Sequence, residues 1–105
     1  MDRQQQIDRF LAAAHRLAMD RLRADPGALD RVKAQLERWR MRNGATRSDR
    51  YRDEWAELLT QDVDAIERAV CADDDHSRAL RSVSPVSVLL TQRERAQLLR
   101  AERRS

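Results

Sequence analysis

The chain has 105 residues, 37% of them charged and only 4% aromatic, with two glycines, two prolines and one cysteine. That composition holds too few chain breakers for a strand-and-turn protein, too little apolar length for a membrane span, and no second cysteine for a disulfide or a Cys-based zinc site. The net charge of +3 is what remains of unequal blocks: +2 over residues 1–35, +4 over 36–52, −8 over 53–75 and +5 over 76–105. A −8 block between basic flanks either pairs with them internally or offers an acidic face to a basic partner. The opening Met1-Asp2-Arg3-Gln4 lacks the apolar run of a secretory signal, so a cytoplasmic location is expected.

The apolar residues Ile7, Phe10, Leu11, Ala14, Leu17, Ala18 and Leu22 recur three and four apart, which predicts one long amphipathic helix over 2–24. Asp25-Pro26-Gly27 ends it, with Asp25 expected to cap a second helix and Pro26 at that helix's first position. The second helix carries a narrow seam of Leu29, Val32, Leu36 and Trp39 and stops at Asn43-Gly44. Ser48 or Asp49 then caps a third helix with Tyr51, Trp55, Leu58 and Leu59. Thr60 restarts the pattern for a fourth, marked by Val63, Ile66 and Val70.

Asp73-Asp74-Asp75 is a poor helix interior but a good cap, here for a short fifth helix around 77–82. In Val83-Ser84-Pro85-Val86-Ser87-Val88 the proline and three valines predict extended backbone. Thr91 and Glu94, three apart, form a capping box for a last helix with Ala96, Leu98 and Leu99. The expected architecture is all-α: a bundle of five or six short helices with an extended Pro-containing segment near the C-terminus. It divides into an N-terminal helical hairpin at 1–42 and a helical region at 43–105.

No residue pattern builds catalytic machinery. His15 stands alone beside the apolar face of the first helix, where packing explains it best. His76 follows three consecutive aspartates, which point in different directions on any regular backbone and lack the alternation and glycine of a calcium loop. Two glycines cannot make a phosphate-cradling loop, and Cys71 on an apolar stripe reads as a small core residue. Neither a cofactor nor a small-molecule substrate is expected.

Arg38, Arg40 and Arg42 interleave with Trp39 and Met41, and Arg47, Arg50 and Arg52 follow, a basic patch able to meet operator DNA. The helix that would read the groove, however, holds Asp49, Asp53, Glu54 and Glu57, which phosphates repel. A DNA-binding transcriptional regulator is therefore the second expectation. A scaffold self-associating through the Leu29/Val32/Leu36/Trp39 seam is the third.

Three stretches, Trp55-Ala56-Glu57-Leu58-Leu59, Leu80-Arg81-Ser82-Val83-Ser84-Pro85 and Glu94-Arg95, resemble motifs of a family of small bacterial antitoxins. Its members pair with AbiEii-like nucleotidyltransferase toxins, as in the mycobacterial MenA–MenT systems, and the likeness runs over residues 36–105. Where that family has Phe-Ala-Gly after the proline, this chain has Val86-Ser87-Val88. The resemblance implies a non-enzymatic antitoxin that binds a tRNA-modifying nucleotidyltransferase directly and blocks its active-site cleft. On that reading Trp55, Leu58, Leu59, Leu80, Arg81, Ser84, Pro85 and Val86 anchor the partner. Asp62, Asp64 and Glu67 enter the basic cleft as a charge mimic, an arrangement that also speeds association.

Overall fold

The computed structural model describes residues 3–43 and 49–103. Six α-helices and one 3-10 segment follow in order: α1 (Arg3–Ala24), α2 (Ala28–Asn43), α3 (Asp49–Leu58), α4 (Val63–Val70), α5 (Asp75–Ser82), the 3-10 segment (Pro85–Leu89) and α6 (Gln92–Arg103). No strand occurs among the described residues. Residues Gly44 to Ser48, and with them Arg47 and the expected Ser48 cap, lie outside them.

The 22 residues of α1 make it the longest element, about 33 Å at 1.5 Å per residue. It touches α2, α4, α5, α6 and the 3-10 segment. Its stripe of His15, Ala18, Met19 and Leu22, spaced three, one and three, is buried. Asp25-Pro26-Gly27 does end α1, but α2 begins at Ala28, two residues later than a Pro26 start requires. The Asp25 carboxylate accepts the Gly27 N–H at 3.1 Å, and the Asp25 carbonyl accepts the Ala28 N–H at 2.9 Å. Asp25 thus closes a tight turn that leads into the helix.

The apolar stripe of α2 is covered by the 3-10 segment more than by α1. Val32 and Leu36 are buried there, together with Val86 and Leu89. The buried face of α2 is thus shared chiefly with the 3-10 segment. One cluster runs from Ala18, Met19 and Leu22 through Val32 and Trp55 to Ile66, Leu80 and Leu90, across the expected division at 42/43.

The caps explain the later boundaries. Asp62 caps α4, accepting the Ala65 N–H at 2.8 Å. Asp74 caps α5 through the Ser77 N–H at 2.7 Å, which holds the Asp74 carboxyl below its usual range. Only Ser84 keeps the extended backbone expected of 83–88, with φ −85° and ψ 132°. Pro85 starts a 3-10 turn instead, because its fixed φ suits a helical first position and the Ser84 hydroxyl accepts the Val86 N–H at 3.2 Å. The capping box is reciprocal: Thr91 N–H donates to Glu94 at 2.8 Å and Glu94 N–H to Thr91 Oγ1 at 3.1 Å. That Thr91 contact and the ion pair with Arg21 hold the Glu94 carboxyl low and tie α6 to α1.

Candidate functional site

The residues expected to anchor a partner form the interior. Trp55, Leu59, Leu80 and Val86 are at most 2% exposed, and Leu58, Arg81, Ser84 and Pro85 are buried beside them. The Trp55 indole N–H donates to the Leu80 carbonyl at 2.8 Å, joining the two motifs through the core. In a chain this short the best amphipathic faces are consumed by its own core before any partner arrives. The scaffold seam meets the same fate: Val32 and Leu36 are buried, while Leu29 and Trp39 keep part of their surface.

Arg81 is a buried cation with no ion pair among the described residues. Its Nη1 donates to the Val70 and Ala72 carbonyls at 2.7 and 2.9 Å, at the electronegative C-terminal end of α4. The contact fixes the α4–α5 corner. The Arg81 Nε finds no hydrogen-bond partner.

Acidic side chains, by contrast, stay outside. Asp62 is exposed, and Asp64 and Glu67 keep 72% and 39% of their side-chain surface. Both accept from Arg23, at 2.8 and 2.9 Å, so the Asp64 carboxyl is held low and the guanidinium is raised above its ordinary value. Asp73 and Asp75 share Arg78 in the same way, Asp53 meets Arg40, and Glu54 meets His76 at 2.7 Å. The −8 block is thus laced to basic side chains and to caps, yet its carboxylates face solvent. His76 is engaged by Glu54 and by the Tyr51 ring at 5.9 Å, not by the aspartate run.

Of the basic patch, Arg38 and Arg42 are exposed, Arg38 bonding Gln35 at 2.7 Å, whereas Arg40 is partly neutralised by Asp53. The α3 helix that would read DNA packs against α2 and α5 and buries Trp55 and Leu58.

One concave feature was not legible beforehand. A pocket of about 260 Å³, open to solvent, lies between α1, the C-terminal half of α2, the α5–3-10 junction and α6. Phe10, Leu11 and Val83 give apolar walls, Trp39 closes one side, and Arg81, Ser84 and Val86 from the expected motif line it too. The available signal was the width of the α1 stripe: Ile7, Phe10 and Leu11 extend it beyond what the core uses.

His15 also lines this pocket and is 3% exposed. Its Nδ1 lies 2.7 Å from the Leu11 carbonyl, which can only accept, so the neutral ring carries its proton on Nδ1 and leaves Nε2 as an unpaired acceptor. Burial is the main force pushing the imidazole down to about 4 from 6.5; the Leu11 carbonyl opposes the shift and the Arg81 charge adds to it. An unfolded chain takes this proton near 6.5 and the folded one near 4, so the stabilisation is complete above 6.5. It drains away as pH falls from there through 4, about 3 kcal/mol in all at 1.36 kcal/mol per unit. Urea titrations at pH 7 and pH 4 are expected to show a wild-type stability drop larger than that of His15→Gln by roughly this amount. Equal drops would refute the assignment.

Among the described residues no three His, Cys, Asp or Glu gather as metal ligands, and no helix is long and apolar enough to cross a membrane. No family model, no curated protein and no solved structure matches the chain.

Proposed function

We propose that the chain is an antitoxin-type inhibitor, a non-catalytic protein that neutralises a nucleotidyltransferase toxin by laying an acidic face over its nucleotide-binding cleft. The observation that carries this reading is the outward set of Asp62 at the cap of α4 and Asp64 and Glu67 on it, with Asp73 and Asp75 on the adjoining corner at 95% and 102% side-chain exposure. Arg23 and Arg78 hold several of these carboxylates in fixed places, so little side-chain entropy is lost when a basic surface meets them. The resemblance of the Trp55–Leu59, Leu80–Pro85 and Glu94–Arg95 stretches supplies the identity of the partner. It acts through the fold, since those motifs build the scaffold that presents the acids.

The double change Asp64→Lys and Glu67→Lys reverses two surface charges without touching a cap. It is expected to keep the helical circular dichroism and to weaken binding of an AbiEii-like nucleotidyltransferase at least tenfold, with growth rescue lost on co-expression. Undiminished binding and rescue would end the charge-mimic reading.

Exposed Arg38 and Arg42 favour one second reading, a DNA-binding regulator. Its mark is operator affinity that falls steeply with salt and weakens when both arginines become glutamine.

A further inference from the structure

The groove between α1 and the 3-10 segment shares no lining residue with the acidic set Asp62, Asp64 and Glu67. Two of the chain's four aromatic side chains, Phe10 and Trp39, stand at its walls and remain only half-buried. A neighbouring depression of about 210 Å³ shares Trp39, Ser82 and Val83 with it and adds Arg52. Among the described residues, the charged side chains lining the joined groove are Arg52, Arg81 and Arg95, and no carboxylate lines either part.

We infer that this groove docks a peptide segment of a protein partner, seating one aromatic or large aliphatic side chain flanked by acidic residues. Three properties fix that occupant. The 260 Å³ pocket falls just below the roughly 300–1,000 Å³ of small-molecule sites and suits a single side chain. Its aromatic walls with arginines beside them have the composition of interface hot spots, where an apolar anchor is desolvated in a pocket. Its charge has one sign, because His15 in the wall is neutral, so acidic flanks are attracted and basic ones repelled. The inference stands whether or not the acidic face meets a nucleotidyltransferase.

Selection of a displayed random 12-residue peptide library on the intact protein tests it. The expected result is enrichment of Phe, Trp or Leu next to Asp or Glu, with the synthetic winner shifting amide resonances around Phe10, Trp39 and Val83. Ser82→Glu and Arg95→Glu, both at exposed positions, are expected to lower that peptide's affinity at least tenfold with helical circular dichroism unchanged. The inference is overturned if nothing is enriched, if the enriched peptides are basic, if the shifts map to α4, or if neither variant changes affinity.

Discussion

Trp55→Ala is expected to leave the chain largely unfolded at room temperature. The indole is fully buried at the meeting of α3 with the α5 core, and truncating a buried tryptophan removes about 3–5 kcal/mol. The Leu80 carbonyl also loses its donor, and an unsatisfied buried acceptor costs about 1–3 kcal/mol more. Small domains have about 5–15 kcal/mol in total, so the sum removes most of it. Trp55→Phe keeps one aromatic ring of the two and loses the same hydrogen bond, and should be destabilised by about 1–3 kcal/mol, less than the alanine variant. Urea denaturation followed by circular dichroism separates the two; a loss below 1 kcal/mol for the alanine variant would contradict the packing described. A failure of Trp55→Ala to bind a partner accordingly reports on folding, and contact has to be probed at the surface acids.

The second large effect belongs to Arg81. Replacing a buried ion pair by apolar residues is often neutral, because both charges leave together. Arg81 has no such partner to remove: Arg81→Leu strands the Val70 and Ala72 carbonyls, and at about 1–3 kcal/mol for each unmet group the loss is about 2–6 kcal/mol. Arg81→Lys keeps the charge at the end of α4 but replaces the planar fork with a shorter-reaching ammonium, and should recover part of that loss. Thermal melts of both variants give the ordering wild type, lysine, leucine. A leucine variant as stable as the wild type would show that the carbonyls find water instead.

Sequence periodicity located the helices well because it reports burial, and burial here is local to each amphipathic face. The long α1, the Asp74 and Thr91/Glu94 caps and the Trp55 and Ile66 faces all follow from side chains within one or two turns of one another. The misplaced features depend on distant partners. Pro85–Leu89 coils into a 3-10 turn through Pro85's fixed φ and the Ser84 cap, but the apolar slot that α1 and α2 offer it lies far away along the chain. The anchors Trp55, Leu80 and Val86 were legible as apolar, but apolarity does not say whether the core or a partner receives them. The acidic block was legible as charge, while its lacing to Arg23, Arg40 and Arg78 needed the fold. The groove at Phe10 and Trp39 was the least legible, being assembled from five elements of which each contributes only a few residues.

The dependence of α2 on the 3-10 segment sets a schedule for the chain's own birth. The helix that buries Val32 and Leu36 packs on the segment that buries Val86 and Leu89, some fifty positions later, so during synthesis the first two helices have no complete surface to settle on. Until Pro85–Leu89 has cleared the ribosome the apolar stripe of α2 stays uncovered, and the loop to be closed is half the chain. Folding of these helices is therefore completed only as residues 85–89 emerge. A ribosome stalled before residue 85 would hold a nascent chain that proteases cut within α2, whereas the finished chain resists.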